Sequence, residues 1–188
     1  MFQFRLFVVL LGGLALAACS KKEASPEAEP RCSNYVAGDV AVGVQPAVEA
    51  RQVFELANSL GLRIDYMSGF AYVSGLPADS LAYVKRVLRS KPYLNTRGFT
   101  GDYAFVYTDR KIHVANSQFD LNAANQANWL QTLQTLQLVD EGGARCQSCK
   151  SVFLKVPAGS EQRWVTELAK NPLLRWAELN CIIQIQLH

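Results

Sequence analysis

Two stretches of this chain repeat each other eighty residues apart, and that repeat limits what the chain can fold into. GLPADSLAYVKRVLRSKPYL (residues 75–94) aligns without gaps on KVPAGSEQRWVTELAKNPLL (residues 155–174). Six of the twenty positions are identical: Pro77/Pro157, Ala78/Ala158, Ser80/Ser160, Leu88/Leu168, Pro92/Pro172 and Leu94/Leu174. Ordinary residue frequencies would give roughly one. The physical content is a punctuated helix. Pro157 lacks an N–H for a ladder and ends a strand over residues 152–156. Gly159 and Ser160 supply a turn and an N-cap, with Glu161 in the first turn where the helix dipole favours it. Trp164, Val165, Leu168 and Ala169 form an apolar stripe at helical spacing. Pro172 disfavours the helical conformation at Asn171 and stops the helix.

Around these units the rest of the chain alternates in period. Val40, Val42 and Val44 predict a first strand, and Val53, Leu56, Ala57 and Leu60 a helix that ends at Gly61. Residues 63–66 and 70–74 flank Met67-Ser68-Gly69 and predict a hairpin. A helix over residues 78–91 and a strand over 102–107 complete a β-α-β-β-α-β order. Residues 111–115 predict a strand and 122–138 a helix, followed by a second hairpin with its tip at residues 142–150. After the 155–174 unit, Leu179, Cys181, Ile183, Ile185 and Leu187 alternate with polar residues and predict a closing strand. The expected fold is therefore α+β: two tandem ferredoxin-like βαββαβ repeats with antiparallel sheets, over residues 35–109 and 110–188.

The amino terminus carries an address. Arg5 precedes an apolar run over residues 6–17 that is short for a membrane span. The run ends in Leu16-Ala17-Ala18-Cys19, which resembles a bacterial lipobox. The resemblance implies a signal peptide over residues 1–18 and lipidation of Cys19, whose several acyl chains would anchor the protein firmly. Residues 19–34 are polar, with Pro26 and Pro30, and predict a disordered tether. Ser20 after the lipid cysteine, by resemblance to lipoprotein sorting rules, favours the outer membrane or cell surface over the periplasmic face of the inner membrane. From residue 19 onward, eighteen basic face sixteen acidic residues. That balance gives no reason to expect a nucleic-acid partner.

Signals for catalysis are sparse. His113 alternates with Ile112 and Val114 and should lie on the polar side of a strand, and His188 is the last residue. No GxSxG, HExxH or phosphate-binding glycine loop is present. Asp140 and Glu141 are adjacent in an expected turn, where solvation is the ordinary role. Trp129, Trp164 and Trp176 fall at or near apolar positions and are expected in the core. Four cysteines follow Cys19: Cys32, Cys146, Cys149 and Cys181. Export implies an oxidising compartment. Cys146 and Cys149 form a CxxC in an expected hairpin, away from the helix N-terminus that would activate a redox thiol. No second CxxC or paired histidine accompanies it to complete a metal site. A local disulfide between Cys146 and Cys149 is expected, with pairing of Cys32 to one of them, or free thiols, as the alternatives. Cys181 points with Leu179 and Ile183 and is expected as a buried thiol. No metal or cofactor is expected.

The segment VFLKVPAGSEQRWVTELAKNPLLRWAELNCIIQI resembles the propeptide domain of subtilisin-like serine proteases. The matched residues are Val156, Pro157, Gly159, Trp164, Leu168, Asn171, Pro172, Ala177, Glu178 and Asn180; Leu179 and Cys181 depart from the family's proline and aromatic residue. The match covers about thirty-five residues. The resemblance implies a ferredoxin-like fold. The chain stops at His188, so no catalytic domain is expected to follow. The chain also resembles bacterial surface or periplasmic lipoproteins, a likeness that implies no particular activity. The expected function is a non-catalytic, membrane-anchored module that binds or scaffolds envelope proteins. The alternative is a propeptide-like inhibitor or folding chaperone of an extracytoplasmic protease.

Overall fold

The computed structural model describes Cys32 and residues 34–94, 103–142 and 148–182. Within them the chain runs β1 (Tyr35–Val44), α1 (Ala50–Ser59), β2 (Arg63–Ser74), α2 (Leu81–Arg89), β3 (Ala104–Val106), β4 (Ile112–Leu121), α3 (Ala123–Thr135), β5 (Leu138–Asp140), β6 (Ser151–Lys155), α4 (Glu161–Leu168) and β7 (Leu174–Cys181). Short 3-10 turns at Ala78–Ser80 and Pro92–Leu94 flank α2. The architecture is α+β: one antiparallel sheet in the order β3-β4-β2-β6-β1-β7, with β5 also paired to β2, and helices packed against it.

The two twenty-residue stretches share their local structure. Both copies start their helix at the same register, at Leu81 and Glu161. Three backbone hydrogen bonds recur eighty residues apart. Ser80 N–H donates to Pro77 O at 2.9 Å and Ser160 N–H to Pro157 O at 3.1 Å. Lys91 N–H donates to Leu88 O and Asn171 N–H to Leu168 O, both at 3.0 Å. Leu94 N–H donates to Lys91 O at 3.1 Å and Leu174 N–H to Asn171 O at 3.0 Å. Leu88 and Leu168 are both buried. Identical prolines and leucines therefore build the same turn, helix and stop.

Strand pairing crosses the expected division at 109/110. β1 pairs with β6 and β7, and β2 with β4, β5 and β6. The expected hairpin at Met67-Ser68-Gly69 does not form, because β2 runs straight through as one twelve-residue strand. Gly69 is a bulge rather than a turn. Its φ is +78°, and a Cβ there would sit 2.1 Å from the Cys149 carbonyl oxygen. The pairing to β4 shifts register between Met67 and Phe70. Of the second expected hairpin tip, residues 143–147 lie outside the described residues. β5 and β6 do not pair with each other; both pair with β2, β5 beside Tyr72–Ser74 and β6 beside Arg63–Ser68.

One face of the sheet meets the helices. Val40, Val42, Ile64, Met67, Phe70, Tyr72, Val114, Val152 and Leu154 join Val53, Phe54, Val84, Leu88, Trp129 and Leu168 in one buried cluster. Of the three expected core tryptophans, Trp129 is fully buried, whereas Trp164 and Trp176 are half-buried. The opposite face carries Tyr66, Ser68, His113, Phe119, Phe153 and Trp176, the alternate residues of the same strands. No described helix is long and apolar enough to cross a membrane.

Candidate functional site

Four places in the described structure are chemically loaded. At the first, Lys150 stands just before β6 and is 1% exposed. Its Nζ donates to both oxygens of Asp140 at 2.8 and 2.9 Å, to Pro46 O at 2.8 Å and to Val48 O at 2.9 Å. The ammonium also lies 4.8 Å from the Phe70 ring centroid. Asp140 Oδ1 accepts in addition from Gly142 N–H at 2.7 Å. A buried ion pair is tolerable only when such hydrogen bonds saturate it. Asp140 is thus not the solvated turn residue its sequence context suggests.

Glu161 is the second. Its carboxylate is buried under the start of α4 and accepts from Gly38 N–H at 2.6 Å and Gly159 N–H at 3.0 Å. The Gly38 N–H, then the residue's own N–H, hold it below the usual carboxylate range against the opposing effect of burial, with Gly159 N–H adding to them. It ties α4 to the bulged start of β1.

The third is His113, on β4 opposite Phe105 of β3. It lies on the face away from the helices, as its alternation predicts, but it is only 4% exposed. Nε2 sits 3.1 and 3.0 Å from the two oxygens of Asp109, and Nδ1 3.4 Å from Glu141 Oε1. The Phe105 ring stacks on it at 6.0 Å and 21°, and Tyr107 meets it edge-on at 5.7 Å. Asp109 is held below the usual carboxylate range by Lys111 N–H first and by His113 second. Two carboxylates therefore fix the imidazole from both sides, and it links the turn after β3 to the end of β5. Beside it the surface is apolar: Phe105, Tyr107 and Val139 are all substantially exposed, Val139 by 68%.

Fourth, a groove of about 380 Å³ opens between α1 and α3, walled by Leu130, Leu133 and Leu138 and floored by Tyr72. Burial pushes the Tyr72 phenol far up. Trp129 is close enough to oppose that shift slightly, yet neither the Tyr72 hydroxyl nor the Trp129 indole N–H makes a hydrogen bond of good geometry. Burial also raises Tyr93, to about 12, and its hydroxyl donates to Asn128 Oδ1 at 2.9 Å.

The cysteines depart from expectation. Cys181 is not a buried thiol. It is bonded to Cys32 across 149 residues, fastening the start of the described chain to the end of β7. Beside that bridge, Ile182 N–H donates to Asn34 O at 2.9 Å. Cys149 is also disulfide-bonded. Cys146, its expected partner, and the lipidation candidate Cys19 lie outside the described residues, as does His188. Among the described residues no group of three or more His, Cys, Asp or Glu is placed to hold a metal.

Comparisons with protein-family models, with curated proteins and with solved structures found no match for this chain. Sequence reasoning missed Lys150, Glu161 and Asp39 as buried charges. Asp39 is 5% exposed, pairs with Lys155 and accepts from Asn180 Nδ2 at 3.2 Å. A signal existed for Asp39, because it directly precedes the alternating valines of β1. For Lys150 the local sequence offers none.

Proposed function

We propose that this protein is a non-catalytic, lipid-anchored module that binds other proteins of the cell envelope, held to the outer membrane or cell surface through Cys19. The observation that carries the reading is where its apolar surface lies. Among the described residues β3 pairs with β4 on one side only, and Phe105, Val106 and Tyr107 are consecutive and exposed there. Exposed apolar side chains on a strand at the end of the described sheet suit strand addition or face-on docking of a partner. The buried charges, in contrast, are engaged with one another and with backbone groups, as Lys150 and Glu161 are. The membrane part rests on the lipobox resemblance alone.

We read the sheet as one βαββαβ unit nested within another. The outer unit is β1-α1-β2(first half), resumed by β6-α4-β7; the inner is β2(second half)-α2-β3-β4-α3-β5. The pairings support this, since β7-β1-β6-β2 and β5-β2-β4-β3 have the same strand order within their units. A second reading, the propeptide-like inhibitor, draws on the strand–turn–helix–strand order of β6, α4 and β7 over the resembling segment.

Photo-crosslinking in membranes tests the first reading, with the crosslinker at position 105. Envelope-protein adducts that vanish in Tyr107→Asp, and labelling by a lipid precursor that vanishes in Cys19→Ser, are the expected results. Adducts unchanged by Tyr107→Asp would refute the docking edge. A secreted protease among the adducts, together with tight inhibition of a subtilisin-like protease by residues 33–188, would put the second reading first.

A further inference from the structure

A cavity of about 330 Å³ opens beside the start of β2, where three stretches distant in sequence meet. Arg63 is the first residue of β2, and Pro92 and Tyr93 belong to the 3-10 turn after α2. Asp120, Asn122 and Asn125 come from the end of β4 and the start of α3. The antiparallel register pairs Ile64 with Leu121, so Arg63 stands at the same end of the sheet as Asp120 and Asn122. Tyr93 is buried, and its hydroxyl is held by Asn128 Oδ1 at 2.9 Å, so with Pro92 it makes a fixed apolar wall.

The polar side chains keep their binding capacity because local backbone bonds do the holding. Asp120 has a φ of +49°, a left-handed conformation that aspartate tolerates better than most residues. Its carbonyl accepts from Asn122 N–H and from Asn125 Nδ2, both at 2.8 Å. Asn122 Oδ1 caps α3 by accepting from Asn125 N–H at 3.0 Å, which leaves its Nδ2 to donate elsewhere. Asn125 is engaged through Nδ2, which leaves its Oδ1 to accept. Among the described residues, neither the Arg63 guanidinium nor the Asp120 carboxylate has an ion-pair or hydrogen-bond partner, not even the other. The neighbouring charges are engaged: Lys155, beside Arg63 on β6, lies 2.5 Å from Asp39 and 3.7 Å from Asp65. Lys91 precedes Pro92 but does not line the cavity.

We propose that this cavity binds a small zwitterion whose primary ammonium lies close to an oxyanion, as in a free α-amino acid or a phosphoethanolamine headgroup. The Arg63 guanidinium presents a fork of N–H donors to the oxyanion. The Asp120 carboxylate accepts from the ammonium. Asn122 Nδ2 adds a donor for the first group and Asn125 Oδ1 an acceptor for the second. The remainder of the ligand packs on Tyr93 and Pro92. Other classes fit less well. A simple anion would gain Arg63 but face Asp120, and a simple cation would gain Asp120 but face Arg63. A purely apolar ligand would desolvate both charges without pairing either. This inference uses neither β3 nor the lipid anchor, and it stands or falls separately from them.

The test is calorimetric titration of the full chain, in detergent with its disulfides intact. The probes are L-alanine, L-leucine, L-phenylalanine, L-glutamine and glycerophosphoethanolamine. Binding of at least one in the micromolar-to-millimolar range is expected. If an amino acid binds, its N-acetyl and its carboxamide derivatives, which each lack one charge, should bind at least tenfold more weakly. Binding of glycerophosphoethanolamine alone would assign the site to a lipid headgroup. Arg63→Gln and Asp120→Asn should each weaken binding tenfold or more, with melting curves as the control for folding. Both positions are exposed, and asparagine also tolerates the left-handed conformation at position 120. Tyr107→Ala, remote from the cavity, should leave binding unchanged. No binding of any probe at about ten millimolar would overturn the proposal. So would binding that survives both Arg63→Gln and Asp120→Asn, or equal binding of the singly charged derivatives.

Discussion

Lys150 Nζ lies 2.8 Å from Asp140 Oδ1, and both side chains are out of water, at 1% and 8% exposure. The pair spans only ten residues of sequence. Through Pro46 O and Val48 O, however, it also holds the turn between β1 and α1 against the end of β5. It is a polar fastening between the chain's first connection and the strand that follows α3.

Breaking such a pair is costlier than never having made it. Lys150→Met leaves the Asp140 carboxylate buried beside Gly142 N–H alone and should lower unfolding free energy by ~3–5 kcal/mol. Asp140→Leu should cost a comparable amount, since it strands the ammonium. The double variant should recover much of the loss. Denaturant midpoints of the four proteins settle it, and strictly additive losses would show that the two groups act independently.

The repeat predicts equivalent roles for two leucines eighty residues apart. Leu88 and Leu168 are each about 0–1% exposed, each one turn before the proline stop of its helix. Truncation of either to alanine should cost ~2–5 kcal/mol. Both helices share one buried cluster, so each variant should unfold in a single transition. Two separated transitions would mean that the two helices belong to independent units.

This correspondence was legible because it depends on local chemistry. A proline that cannot join a ladder, a serine after it, a leucine at helical spacing and a second proline fix the same conformation wherever they occur. The sheet was less legible. Gly69 interrupts a period-two pattern, and a turn and a bulge leave the same mark. Only the close approach of the Cys149 carbonyl, eighty residues on, decides for the bulge. His113 read correctly as facing away from the helices, but its burial depends on Asp109, Glu141 and Phe105 arriving from three separate segments. Lys150 follows a cysteine pair in what reads as a polar loop, and its acceptors come from residues 46, 48 and 140. Cys181 kept the apolar alternation of β7, which concealed a partner 149 residues away.

That partner makes a further prediction. The Cys32–Cys181 bridge closes a loop of nearly the whole described chain, where the chain-entropy account gives its largest effect, up to ~5 kcal/mol. Cys32→Ser should therefore lower stability by several kcal/mol under oxidising conditions and by nothing further when reductant is added at this bridge. Its partner variant Cys181→Ser should behave the same way. Equal melting temperatures for wild type and both variants in oxidising buffer would refute it.

Acid sensitivity should trace in part to Glu161. Its folded value is depressed, chiefly by the Gly38 N–H, so the folded state holds the ionised form more strongly than the unfolded chain does. The unfolded carboxyl titrates near ~4.3. The stabilisation is therefore fully present above that value and is lost as pH falls through the lower folded value. Asp109 has a depressed value of the same sign but is solvent-exposed, so salt should screen its share. Glu161→Gln keeps the shape and an acceptor for Gly38 N–H while removing the titration. Chemical unfolding between pH 3 and 7 should show a shallower loss of stability for Glu161→Gln than for the parent, with the curves converging at low pH. Parallel curves across the range would show that Glu161 does not titrate differently on unfolding, and would remove the carboxylate at Gly38 as the source of the acid response.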